Sequence, residues 1–346
     1  MQRFSVLDAF RGLFALVIVF FHMKDYNGIT DNAFINNGDL FVNFFFVLSG
    51  FVIAFVYFSR INNAKQLKGF VAKRFWRIYP LHLYALLVFA IFELSKSFLH
   101  QQGYVDPSAS NNNIRSFLSN IFLLNGTSIG TGDKLSWNYP SWSISAEFIT
   151  YLVFGLLLLL SSALPKARIW MMAAVPILVV FLPYSRDVHL VLDALRGFSL
   201  GVVAYWLQVR SPFGKKISLV TGTIIELCFC IATVILVCNR PSLESRMYLY
   251  DLFFATSIYF FSFESGYISS LLKKAPFQTL GKYSYSIYLN HAVVIEVMNF
   301  LLVRWLKLNG AMLYVIPFFI AAVTIAYSSF TYRFIELRFY KPHTHR

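Results

Sequence analysis

Ten apolar stretches, at residues 9–25, 40–59, 78–98, 143–163, 169–184, 190–208, 217–238, 247–263, 283–303 and 312–334, most constrain how this chain can fold. A hydrocarbon core about 30 Å thick is crossed by roughly 20 apolar residues in a helix. Apolar runs of that length, repeated along the whole chain, predict an all-α polytopic membrane helix bundle with about ten transmembrane helices. The fifth and eighth are the shortest. Residues 114–125, IRSFLSNIFLLN, are too short to cross and read as an interfacial or re-entrant piece. We expect one membrane-embedded domain over 1–346, with no appended soluble domain and no internal repeat.

Composition agrees. Only 13% of the residues are charged, against about 25% in soluble domains. The 38 Phe and 20 Tyr suit lipid-facing helices with aromatic belts at the interfaces. The net charge of +14 does not require nucleic acid, because Lys and Arg collect in cytoplasmic loops. With the N-terminus inside, 20 of the 30 Lys and Arg fall in inside stretches, which places both termini in the cytoplasm and the chain in the cytoplasmic (inner) membrane. The polar stretch of about 100–140 then lies outside and can cover a site mouth. Cys228, Cys230 and Cys238 share one apolar segment and have no metal-ligand spacing, so they read as small apolar residues, and no metal is expected. Arg3, Arg11 and the following apolar run mimic a signal peptide, but no A-x-A-like site follows cleanly, and we read an uncleaved first helix.

That first helix carries the most costly residues. In LDAFRGLFALVIVFFHM, Arg11 and His22 are eleven residues apart, about 16 Å along a helix axis. Ionisable groups within a membrane usually face a protein interior or a wet cavity and point to a functional site. Asp8 is an N-cap candidate and an ion partner for Arg11.

Arg74-Phe75-Trp76-Arg77 sets two guanidiniums on one helix face at the start of the third span. Guanidinium forks suit phosphate or carboxylate; positive-inside anchoring explains the same pair. In Pro140-Ser141-Trp142-Ser143-Ile144-Ser145-Ala146-Glu147, Glu147 is either an intramembrane carboxylate needing a partner or a helix-start carboxylate held by first-turn amides. In Ser284-Tyr285-Ser286-Ile287-Tyr288-Leu289-Asn290-His291, Ser284, Tyr288 and His291 share a face, for interhelical hydrogen bonding or for chemistry. Ser49-Gly50 reads as a small-residue spot for close helix approach. Glu93, Glu226, Asp251 and Glu296 lie in apolar segments without an assignment.

Taken in order, these motifs resemble the acyltransferase-3 family of integral-membrane O-acyltransferases, which acetylate surface glycans such as lipopolysaccharide and peptidoglycan. The resemblance rests on the LDxxRG start with Arg11 and His22, FFVLSGF at Phe45–Phe51, Arg74-x-x-Arg77 followed by Ile78-Tyr79-Pro80, and PSWSxSxEF at Pro140–Phe148. Weaker matches continue through Arg196-Gly197-Phe198 with Gly201, the Ser284 block, and Tyr332-Arg333-Phe334-Ile335-Glu336. Asn43 departs from the pattern, standing where relatives often have Asp. Some relatives carry an extracytoplasmic esterase-like domain after the membrane unit; none is expected here.

The resemblance implies an acyl-CoA donor, acetyl-CoA in the first instance, arriving from the cytoplasm, and a sugar or lipid-linked glycan acceptor. It implies that Arg11, Arg74 and Arg77 hold the donor. His22 is then the general base or acyl relay, with Glu147 orienting or stabilising its imidazole, and Ser143, Tyr288 and His291 line the substrate pocket. The rival class is a transporter or flippase of a lipid-linked sugar or small anion, with the buried His and Glu as a proton relay. It lacks the paired interrupted helices such proteins often show. A non-catalytic scaffold would have no need of a mid-membrane histidine opposite paired arginines.

Overall fold

The computed structural model describes residues 4–23, 30–101, 112–127, 135–182, 189–212, 217–242 and 246–339, and among them there is no strand. The helices are α1 (Ser5–Phe21), α2 (Ala33–Asn36), α3 (Phe41–Tyr57), α4 (Ala64–Gln101), α5 (Ile114–Ile121), α6 (Trp142–Leu160) and α7 (Ala167–Phe181). They continue as α8 (His189–Arg210), α9 (Leu219–Cys238), α10 (Met247–Phe261), α11 (Tyr267–Leu272), α12 (Ala275–Met298), α13 (Met312–Thr331) and α14 (Leu337–Phe339). Two π-helical stretches, Asn299–Trp305 and Tyr332–Glu336, extend α12 and α13.

A helix stands at each of the ten expected spans. Seven are long and apolar enough to cross a membrane; α1, α7 and α10 are shorter, at 17, 15 and 15 residues. The largest boundary difference is α4. Its 38 residues begin at Ala64, so Arg74 and Arg77 lie well inside the helix rather than at its start. The basic stretch ahead of the apolar run extends the same helix without contributing to its hydropathy. Of the charges weighed above, Arg3, Lys24, Lys134, Arg186, Lys215, Lys216, Lys341 and Arg346 lie outside the described residues, as do residues 102–111 and 128–134 of the polar stretch.

The outward face is apolar where a bilayer would meet it. On α4, Leu87, Ile91, Leu94 and Phe98 form an exposed stripe, while His82 is fully buried. The short α5 is inverted relative to a soluble helix. Ile114, Leu118 and Phe122 point out, while Ser116, Ser119 and Asn120 are buried. A capping box between Asn113 and Ser116 starts it. Asn120 accepts a hydrogen bond from Ser141 Oγ (3.0 Å), and its carbonyl meets His82 Nε2 (2.9 Å), which ties this short helix to α4 and to the start of α6.

Two tight contacts between backbones set the core. At the first, a Cβ on Gly50 would lie 1.9 Å from the Phe198 carbonyl oxygen, and one on Gly201 1.9 Å from that of Val47, so α3 and α8 touch main chain to main chain. This is the close approach expected of Ser49-Gly50. At the second, a Cβ on Gly12 would lie 2.5 Å from Gly281 N, and one on Gly281 2.2 Å from the Asp8 carbonyl oxygen. These two helix pairs are the most extensively packed in the fold.

Three of the unassigned charges, Asp251, Glu226 and Glu93, have partners. Asp251 accepts from Arg196 Nε (2.5 Å) and from Asn43 Nδ2 (2.8 Å), and Arg196 also bonds Asp193 (2.6 Å). The amide at Asn43 thus donates to a carboxylate, which a carboxylate in its place would not do while ionised. Glu226 accepts from the backbone N–H of Gly266 (2.8 Å) and of Ser269 (3.0 Å) and from Ser269 Oγ, fastening α9 to the start of α11. Glu93 pairs with Lys96 at 2.5 Å. Asp8 lies inside α1 rather than capping it, and its carboxylate is 3.8 Å from Arg11.

Candidate active site

A cavity of about 290 Å³ opens among α1, α3, α4, α6 and α12. Arg11, Arg74 and Arg77 line it, with Ser49, Glu147 and Tyr151 on its wall and Ser143 and Tyr288 also in the lining. Three cations from two helices that are distant in sequence therefore converge on one space. Arg74 lies over the Tyr57 ring, 5.6 Å from its centroid. Arg77 lies 5.1 Å from the centroid of Tyr285 and is ion-paired with Glu336. Glu336 is buried and also accepts from Ser286 Oγ. It sits in the π-helical turn Tyr332–Glu336, whose widened register aims the carboxylate inward.

Glu147 faces the same cavity. Ser49 Oγ (2.6 Å) and Tyr151 OH (2.5 Å) both donate to its Oε1. Ser49 was read as packing only; the structure divides the dipeptide, Gly50 meeting α8 while Ser49 turns to the cavity. Tyr151 was missed, although it follows Glu147 by four residues on one helix face. Ser143 Oγ and Tyr288 OH are 2.7 Å apart, and both reach the Pro140 carbonyl (3.0 and 3.1 Å).

His22 and His291 meet beyond Tyr288. His22 Nδ1 is 3.1 Å from His291 Nε2 and 2.9 Å from the Ile18 carbonyl oxygen. A carbonyl only accepts, so this contact assigns the neutral His22 proton to Nδ1 and the basic lone pair to Nε2. His291 Nε2 then accepts a share of the same proton. The rings of His22 and Tyr139 are 4.9 Å apart, and Tyr288 lies 5.9 Å from His291.

The pairing follows from the helix packing. Gly12 to His22 is ten residues, and Gly281 to His291 is ten residues. α1 and α12 run parallel, touch at the two glycines, and three turns later still hold their imidazoles together. Gly281→Val should push the helices apart at the Asp8 carbonyl. The expected result is a lower melting temperature in detergent; an unchanged Tm would contradict this packing role.

The structure thus brings Arg11, Arg74, Arg77, Glu147, Ser143 and Tyr288 to one cavity, and His22 to His291 next to it. It does not bring Glu147 to His22. The Ile18 carbonyl and His291 orient that imidazole, and Glu147 is engaged by Ser49 and Tyr151 on the arginine side of Tyr288. Nor does the cavity lining include His22; Tyr288, which does line it, lies 5.9 Å ring to ring from His291, the partner of His22.

Comparison with known proteins bears on what such a site does. The chain is 26% identical over 322 residues, 84% of its length, to the peptidoglycan O-acetyltransferase OatA of Listeria monocytogenes. It is 33% identical over 140 residues, 40% of its length, to the acyltransferase MdmB of Streptomyces mycarofaciens. These matches span 49% and 33% of the two relatives' own lengths, so the chain corresponds to half or less of each. No solved structure matches. The family model for the acyltransferase domain matches residues 4–331, and with nearly its whole length covered the chain belongs to the acyltransferase-3 family.

Proposed function

We propose that the chain is a membrane O-acyltransferase that moves an acyl group, acetyl in the first instance, from cytoplasmic acyl-CoA to a hydroxyl of a surface-glycan sugar or its lipid-linked precursor. The observation that carries the reading is the three-arginine cavity whose lining Tyr288 lies 5.9 Å ring to ring from His291, the partner of a tautomer-fixed His22. Arginine forks match the phosphates of CoA. The pantetheine arm is long and thin enough to carry a thioester past Ser143 and Tyr288.

In the reaction, His22 Nε2 takes the proton of the sugar hydroxyl as its oxygen attacks the thioester carbonyl. The tetrahedral intermediate collapses with cleavage of the carbon–sulfur bond. The proton passes from His22 to the departing CoA thiolate, so one ester and one thiol leave. Ser143 and Tyr288 are hydroxyl donors placed to meet the carbonyl oxygen as charge develops on it. Glu147, held by Ser49 and Tyr151, shapes the cavity wall on the arginine side. Both termini are assigned to the cytoplasm, with the acceptor reaching His22 from the other face of the inner membrane.

Membranes containing the chain, given acetyl-CoA labelled in the acetyl group, should place label in a base-labile ester on glycan. Label that stays at the level of membranes without the chain would contradict the reading, and uptake of a lipid-linked sugar or anion instead would assign the rival transport class. Arg74→Ala should raise the KM for acyl-CoA on the order of 10- to 100-fold, the loss of one or two charge-assisted hydrogen bonds, with little change in Tm. Unchanged affinity for CoA in nanodiscs would remove Arg74 from donor binding.

A further inference from the structure

A second cavity, of about 180 Å³, is bounded by α1, α3, α9 and α10, with Leu7, Phe10 and Phe14 on its α1 side. Phe10, Phe14, Phe44, Phe254 and Phe261 form its wall. They contact one another edge to face, with Phe10 to Phe261 at 4.7 Å and Phe14 to Phe44 at 4.7 Å. Its two hydroxyls make no demand on an occupant. Thr233 Oγ1 donates to the Phe229 carbonyl (2.8 Å) and Ser257 Oγ to the Phe253 carbonyl (2.9 Å), each back into its own helix. Water needs two to four polar partners to settle in a cavity, and this one offers only the acceptor sides of two hydroxyls whose protons are already committed.

The cavity is open, and its opening faces hydrocarbon. Val234 lines it and is 50% exposed. Val234 belongs to a stripe on α9 with Ile224, Leu227 and Ile231, all exposed, and only Gly222, Glu226 and Val237 of that helix are buried. A helix with so little of its surface against protein in a membrane bundle has lipid on the rest. An apolar cavity of about 150 Å³ is large enough to hold benzene, so this one accepts a stretch of about six chain carbons. Left empty, its aromatic lining would forgo dispersion contacts on one side.

We propose that this cavity binds one hydrocarbon chain of a bilayer phospholipid, which enters sideways past Val234 and packs against Leu7, Phe10 and Phe14 of α1. Phospholipid is the occupant the observations favour, because the opening is onto the bilayer interior and the narrow aromatic walls suit an unbranched methylene chain. The site stands independently of the acyl-transfer reading.

The test uses the whole chain in nanodiscs of phosphatidylethanolamine and phosphatidylglycerol, doped with a phosphatidylcholine that carries a diazirine in mid-chain. After photolysis, label should concentrate on peptides holding Phe254, Phe261 and Phe10. Val234→Trp, which fills the opening, should lower that label several-fold while leaving label on the α4 stripe at Ile91 and Leu94 unchanged. If Val234→Trp does not accumulate, Cys230→Phe fills the same cavity from the same helix. Label spread evenly over outward-facing residues, or cavity label indifferent to either filling substitution, would overturn the proposal. Displacement of the label by a polyisoprenyl phosphate but not by added phospholipid would assign the site to an isoprenoid chain and overturn it as well.

Discussion

Replacing His22 by alanine is expected to lower acyl transfer by about 10²- to 10⁴-fold, the usual contribution of a positioned general base, while acyl-CoA binding stays near that of the unsubstituted chain. The split follows from the geometry. The arginines that would meet the donor line a cavity that His22 does not line, so removing the imidazole leaves that cavity intact. His22 is also held by main chain on one side and by His291 on the other, contacts that fix its tautomer and orientation. His291→Ala should therefore lower transfer too, but less, because the Ile18 carbonyl still holds the His22 proton at Nδ1. The check is base-labile acetyl on glycan from cells with matched expression, alongside CoA affinity in nanodiscs. Wild-type ester in His22→Ala would remove His22 from the chemistry.

The second large effect is expected at Arg77 and Glu336. Glu336 is 3% exposed and pairs with Arg77, with Ser286 as its other donor. Removing one partner of a buried pair strands the other charge, and the usual cost is about 3–5 kcal/mol. Arg77→Ala and Glu336→Ala should each lower Tm and yield sharply. Replacing both with apolar residues of similar size, Arg77→Met with Glu336→Leu, should restore much of the stability, because no stranded charge remains. The same double variant should remain weak in donor binding if Arg77 meets the CoA phosphates. A Glu336→Ala protein as stable as the parent would show that the pair is not structural. A double variant with full CoA affinity would show that Arg77 is only structural.

The spans were legible because about 20 apolar residues in a row permit little else. The two weakest were recognised from length alone and are the short α7 and α10. The start of α4 was not legible, because a basic stretch lying beyond the apolar run carries no hydropathy signal, yet the helix runs through it. In the site, Arg11, Arg74, Arg77 and Glu147 were each singled out, and the fold gathers all four at one cavity. The partners were harder. The family resemblance implied that Glu147 serves a distant imidazole, while its neighbours are one turn away at Tyr151 and across a helix crossing at Ser49. His22 and His291 are 269 residues apart, and the equal ten-residue spacing from glycine to histidine on the two helices gains meaning only once the glycines are seen in contact. Glu336 reaches Arg77 from a π-helical turn, a register that regular helical periodicity does not reveal.

The central claim is that a thioester held from the arginine side reaches His22, and a structure with a non-reactive thioether analogue of acetyl-CoA tests it most directly. The expected result has the analogue's phosphates on Arg74 and Arg11, the Tyr288 ring swung aside, and the carbonyl carbon within reacting range of the His22 side, with about 3–3.5 Å left between the reacting atoms once a hydroxyl is placed. An analogue that stops at Glu147 and Ser49 with Tyr288 unmoved, or that binds outside the arginine cavity, would contradict it.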